Sequence, residues 1–178
     1  MTCVLALRNR QRARAVDMRL FRRIVIWALE GLFNADRYEL GIHLISSTEM
    51  AAMNETYLRH AGSTDVITFN YGAGARDGSG VVQWSGGSGP IGKSPKGVSE
   101  DFHGEIFISL DDAVKQGRAF GVGWESEIVR YLLHGLLHLR GFDDRSAELR
   151  RAMKREENRL LKLVERRFKL ARLSRRRS

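Results

Sequence analysis

The sequence predicts an α/β (α+β) fold, a single domain whose small mixed sheet of about four strands is covered by helices. Three observations predict it. Four short β-branched or aromatic runs alternate with longer segments whose apolar residues recur at helical spacing. The 178 residues are enough for one sizeable core and too few for several. Hydrophobic residues at 43% and charged residues at 29% exclude a disordered or fibrous chain.

Val4–Leu7 is a short apolar run suited to a buried strand. Leu20, Phe21, Ile24, Val25, Ala28, Leu32 and Phe33 then predict an amphipathic helix over about Val16–Phe33. Tyr38–Ile45 reads as a second strand. Ser46, followed three residues later by Glu49, is a capping box that opens a helix through about Arg59. Asp65–Phe69 and Gly104–Ser109 are β-branched and aromatic, hence a third and a fourth strand. Asp111–Phe120 and Trp124–Leu139 read as helices, as does Ser146–Ala171, whose Met153, Leu160, Leu161, Val164 and Phe168 form one apolar stripe. Residues 71–100 hold nine of the 18 glycines and both prolines, Pro90 and Pro95, and are expected to be a flexible insert. The organisation is thus a domain over 1–145 carrying that insert, then a basic C-terminal helix and tail over 146–178.

Charge is distributed unevenly. Thirty Lys and Arg face 21 Asp and Glu, a net +9, and residues 145–178 alone hold 14 basic against 4 acidic side chains. Near the N-terminus, Arg8, Arg10, Arg12, Arg14, Arg19, Arg22 and Arg23 face only Asp17. Two basic clusters suit a polyanionic partner, because each cation that neutralises a phosphate releases a counterion. A solvated basic helix face is the plainer alternative. The single cysteine, Cys3, forms no intrachain disulfide and is expected to be a small buried hydrophobe in a reducing, cytoplasmic setting. The N-terminal apolar stretch is too short for a signal-peptide core, and no run approaches the roughly 18 apolar residues of a membrane span. A soluble protein is expected.

The chemistry concentrates in His134-Gly-Leu-Leu-His138-Leu-Arg-Gly141-Phe-Asp-Asp144. A four-residue step on a helix turns about 400°, so His134 and His138 share a face and two imidazoles can converge on one ion. Gly141 stands where a left-handed residue commonly ends a helix, and that turn can return Asp144 toward the histidines. The spacing is that of a zincin-like metal helix with His134, His138 and Asp144 as ligands. Three protein ligands leave a tetrahedral Zn2+ one position for water, which the ion acidifies. A peptidase of the H-E-x-x-H type would carry a glutamate where Gly135 stands, so a zinc peptidase is disfavoured. Gly135 is expected instead to leave room beside the ion for a bulky group such as a phosphodiester. His43, His60 and His103 lack ligand spacing and read as ordinary polar or partly buried residues.

His134 to Asp143 meets the pattern H-G-x-L-H-L-x-G-[YF]-D-H except at its last position, where Asp144 replaces histidine. Asn54-Glu-Thr-Tyr57 with Thr64–Phe69 matches N-x-x-[YF]-R…T-D-V-L-S-F, and Gly104–Ser109 matches G-D-I-x-I-S. On these residues the sequence resembles the bacterial YbeY proteins, metal-dependent endoribonucleases. The resemblance implies cleavage of single-stranded RNA in 16S rRNA 3′-end maturation and ribosome quality control. Its implied partners are rRNA and the small ribosomal subunit, with neither DNA nor a membrane.

The family's zinc ligands carry over to His134 and His138 directly and to Asp144 by position, with His134 and His138 also catalytic. A carboxylate adds negative charge that imidazole lacks, so a less acidic bound water and a tilt toward harder divalent ions are expected. The family's phosphate-contacting arginine falls on Leu58. Arg59, one residue later, takes that catalytic role only if the helix ends or shifts there. Glu105 and Asp143 are candidates for the general base or for orienting a ligand histidine. Two other readings remain open: an RNA- or ribosome-binding assembly factor with a structural metal, and the disfavoured zinc peptidase.

Overall fold

A computed structural model describes residues 3–72 and 101–175. The expected flexible insert, apart from Tyr71 and Gly72, lies outside the described residues, as do Arg176 and Arg177 of the tail. Strands β1 (Cys3–Asn9), β2 (Tyr38–Ile45), β3 (Val66–Asn70) and β4 (Phe102–Ser109) form one mixed sheet in the order β1-β2-β4-β3. The first, second and fourth are parallel, and β3 pairs antiparallel with β4. The expected four-stranded α/β domain is thus observed.

The pairings Leu40↔Gly104 and Ile42↔Ile106 set the register, and side-chain alternation then sorts the two faces. Leu40, Ile42, Leu44, Ile106 and Ile108 enter the main core, while Ile45, Ile67, Phe69 and Phe107 pack with Met50 in a smaller one. The first strand departs from expectation. It is a sheet edge on which only Leu5 is buried, and Cys3 is exposed with its thiol 3.8 Å from the Asp36 carbonyl. An edge strand has a partner on one side only, so its apolar run covers less surface than a central strand would.

Helix α1 (Met18–Trp27) starts two residues later than expected because Asp17 caps it, accepting from the Arg19 and Leu20 N–H groups. Its continuation widens into a π-turn over Ala28–Leu32. Half of the predicted capping box opens α2 (Ser47–Met53): Ser46 Oγ accepts from Glu49 N–H, while the Glu49 carboxylate pairs with Arg10. A second π-turn, Asn54–Leu58, follows and ends at Arg59 in the left-handed region, φ 55°. The remaining helices are α3 (Leu110–Phe120), α4 (Trp124–Leu139) and α5 (Ala147–Arg167). The last ends before Ala171: Phe168 is extended, and a 3-10 turn over Leu170–Leu173 follows. No described helix is long and apolar enough to cross a membrane.

The close seat of α4 on the sheet depends on glycine. A Cβ at Gly135 would stand 2.7 Å from Ile106 Cγ2, and one at Gly104 would stand 2.1 Å from the Phe69 carbonyl oxygen. Gly135 therefore faces β4, and the expectation that it opens space beside an ion is corrected. Its missing side chain is room taken by the sheet.

Candidate metal centre

Helix α4 carries His134 and His138 one turn apart, and their Nε2 atoms lie 3.0 Å from one another. Gly141 ends the helix at φ 87°, with its N–H donating to the His138 carbonyl and Phe142 N–H to that of Leu137. This is the predicted turn, and it returns Asp144. Ligand atoms of His134, His138 and Asp144 all lie within 4.8 Å of one another. The turn is held by Asp143, whose carboxylate accepts from the N–H groups of Asp144 and Arg145 and from Arg145 Nε. Burial would raise the Asp143 carboxyl, but these donors hold it below the ordinary value. A carboxylate so engaged is a structural clamp, a poor fit to a general base.

Both imidazoles are oriented from behind. His134 Nδ1 lies 3.1 Å from Glu157 Oε2, and His138 Nδ1 lies 3.0 Å from the Phe142 carbonyl oxygen. A carboxylate and a carbonyl only accept, so each Nδ1 donates a proton outward and the two Nε2 atoms face one another. In the neutral tautomer both Nε2 lone pairs converge on one point, where a cation could be held. With the Asp144 carboxylate within 4.8 Å of both, the two nitrogens make a donor set that could hold one divalent ion. Burial and the neighbouring His134 push His138 below the ordinary imidazole value, favouring the neutral form a cation needs.

Glu157 was not singled out from the sequence. It is 3% exposed and also accepts from Arg130 Nη1 and Lys154 Nζ, each at 2.7 Å on Oε1. Burial would raise its carboxyl, but hydrogen bonds from His134, Lys154 and Arg130 win and hold it at about 2. A signal was present, since Glu157 occupies the step between Met153 and Leu160/Leu161 in the apolar stripe of α5, where an acid needs a partner.

A cleft of about 610 Å³ between α3, α4 and α5 opens beside the candidate ligands, and two of them reach its wall. His134 and Asp144 line it together with Arg130, Arg150, Arg151 and Lys154. Its four cationic side chains are matched by Asp65, Glu127, Asp144 and Glu157, so the lining is formally neutral before any ion enters. Arg151 has no ion-pair partner among the described residues. Tyr131 also lines the cleft, with a buried hydroxyl that has no hydrogen-bond partner among the described residues.

Two sequence candidates stand elsewhere. Glu105 occupies the sheet face opposite α4, 3.1 Å from His43 Nε2 and accepting from the Tyr71 hydroxyl at 2.8 Å. It is therefore no base for this site. Arg59 terminates its helix, the condition set for it above, but is not among the residues lining the cleft.

The profile of the family described as Endoribonuclease YbeY matches residues 6–165. The chain belongs to the YbeY family. It is 35% identical over 106 residues to Endoribonuclease YbeY of Chlorobaculum parvum, covering 60% of this chain and 57% of that protein. Identity to the Elusimicrobium minutum Endoribonuclease YbeY is 30% over 142 residues, 80% of this chain and 85% of the relative. The chain spans about three fifths of the length of the Chlorobaculum parvum and Chlorobium phaeobacteroides relatives it matches. The solution structure of a Thermotoga maritima protein has the same fold, with a TM-score of 0.50 and 17% identity over 92% of this chain and 93% of that one.

Proposed function

We propose that the chain is a metal-dependent endoribonuclease, hydrolysing single-stranded RNA with His134, His138 and Asp144 as the ligands of one Zn2+ ion. The observation that carries this reading is the pair of Nε2 atoms 3.0 Å apart, each ring fixed through Nδ1, beside a cleft whose wall includes Arg150, Arg151 and Lys154. Two nitrogens and a carboxylate oxygen are an ordinary zinc donor set, and the oxygen also admits harder divalent ions. When bound, the ion supplies an acidified water and positive charge beside a phosphoryl oxygen. Glu157 and the Phe142 carbonyl hold the two imidazoles in the binding tautomer. Arg151 and Lys154 bind backbone phosphates along the wall, and Arg150, tied to the Asp144 and Arg145 carbonyls, braces the ligand turn. Arg59 is not on the cleft wall, so the family resemblance alone supports a phosphate contact for it, made by substrate that extends beyond the cleft. Hydrolysis places the water's hydroxyl on phosphorus and its proton on the departing sugar oxygen.

The family resemblance supports action on 16S rRNA 3′ ends in ribosome quality control, in the cytoplasm and with the small ribosomal subunit as partner. The test is metal analysis and RNA cleavage for wild type and His138→Ala. One ion per chain and metal-dependent cleavage, both lost in the variant, are expected. Full occupancy and undiminished cleavage in His138→Ala would overturn the assignment.

A further inference from the structure

The two basic clusters at opposite ends of the sequence meet in space. Val16 and Ser174 form an antiparallel bridge, Asp17 N–H donates to the Leu173 carbonyl at 2.8 Å, and Arg175 N–H donates to that of Ala15 at 3.0 Å. Beside this seam lies a cleft of about 260 Å³ lined by Arg12, Ala13, Arg14, Ala15, Ser174 and Arg175. Among the described residues, three arginines and no carboxylate line it. The adjacent Asp17 uses Oδ1 to cap α1 and stands 3.7 Å from Arg175 through Oδ2. Arg14 donates to the Ala13 carbonyl, and Arg12 has no partner among the described residues.

The cleft is held in shape. Gln11, only 6% exposed, donates to the Arg14 carbonyl at 2.9 Å and to Asn9 Oδ1 at 2.8 Å, while accepting from Arg14 N–H at 3.0 Å. Below the bridge, Leu173 is fully buried and Val16 is 7% exposed. Like charges gathered on so fixed a frame repel one another, and an anion relieves that repulsion.

A second cationic feature leads toward this seam. Arg151, Arg155, Lys162 and Arg166 are all exposed on α5, and at ~100° per residue they fall within a ~60° sector of one face. None has an ion-pair partner among the described residues. The row starts at the metal cleft, which Arg151 lines, and runs ~22 Å toward the C-terminal end of the helix. Contacts fix the direction: Glu157 meets His134, whereas Glu165 accepts from Ser126 near the start of α4. The seam follows that far end in the chain.

We propose that the seam is a second RNA-backbone site, separate from the metal cleft, where Arg12, Arg14 and Arg175 engage phosphates of a strand that lies along α5. The choice of RNA as the polyanion rests on the endoribonuclease reading. The experiment compares wild type with Arg12→Ser/Arg14→Ser/Arg175→Ser, measuring affinity for a long and a short single-stranded oligoribonucleotide across a salt series, under chelation so that no strand is cut. Losing three phosphate contacts should flatten the log–log salt slope for the long RNA by about 2, so a fourfold rise in salt weakens wild type roughly 20-fold more than the variant. Metal content, melting temperature and cleavage of the short RNA should be unchanged, and the matching triple Lys variant should keep the wild-type slope. An unchanged slope with cleavage intact overturns the seam and leaves the endoribonuclease reading standing. A flattened slope in a protein that cuts no RNA with any divalent ion supports the seam and sinks that reading.

Discussion

His134 Nδ1 and Glu157 Oε2 lie 3.1 Å apart, joining the metal helix to the basic helix beside it through a buried carboxylate. That bond selects the tautomer with a free Nε2. Glu157→Gln retains the shape but can present its amide to the ring, so metal affinity should fall about 10- to 100-fold. Competition with a graded chelator reads this directly, and equal affinity in variant and wild type would show that the carboxylate only anchors Arg130 and Lys154.

Gly135→Ala places a methyl 2.7 Å from Ile106 Cγ2. Overpacking of this kind costs about 1–3 kcal/mol, and the strain falls on the helix bearing both histidines. Denaturant unfolding should show that loss together with weaker metal retention. Wild-type stability accompanied by loss of RNA cleavage would instead favour substrate occupying the space at residue 135.

Asp144→His restores the family pattern and removes one negative charge from the ligand set. One ion per chain should remain, and the rising limb of the pH–rate profile should move to lower pH. A limb that stays in place would mean that residue 144 does not set the acidity of the bound water.

Burial pushes His43 below the ordinary imidazole value of 6.5, outweighing the hydrogen bond and charge of Glu105, while Arg10 and Arg8 push the same way. The unfolded chain therefore takes up this proton first as pH falls. Stability from the neutral ring is complete above ~6.5 and is lost as pH falls from there toward the folded value. Unfolding free energies at pH 7.5 and 5.5 should drop more for wild type than for His43→Gln. Equal drops would assign the acid sensitivity to other groups.

Removal of residues 170–178 should do more than strip charge. Leu170 is 7% exposed and Leu173 fully buried, so the truncation opens the main core and should cost at least the ~2–5 kcal/mol of one large-to-small core change. A melting temperature equal to that of the full chain would show that the terminal turn is dispensable. For this reason charge substitution, rather than deletion, isolates the role of the arginines.

Local features were readable before the fold was known. His134, His138, Gly141 and Asp144 lie within eleven consecutive residues, where helical geometry and one left-handed turn determine their relation. The capping box at Ser46 and Glu49 is equally local. What escaped depends on distant chain segments. Glu157 reaches His134 only because α5 packs antiparallel on α4, and Gly135 was assigned to the ion rather than the sheet because spacing does not reveal which way α4 is turned. The π-turn after α1 escaped because Ala28, Leu29 and Leu32 continue the apolar periodicity while the backbone widens, and the one after α2 carries no distinguishing sequence signal. Likewise, sequence showed two basic clusters but not the bridge that makes them neighbours.

The antiparallel pairing of β3 with β4 brings Asn70 opposite Gly104, and Tyr71 N–H donates to the His103 carbonyl at 2.8 Å. Both ends of the intervening glycine-rich segment are thereby pinned side by side. The β3–β4 pair is thus closed by contacts of its own at the end where the chain leaves the sheet, and the strand that seats the ligand helix draws its register from Asn70 and Tyr71 rather than from anything beyond them.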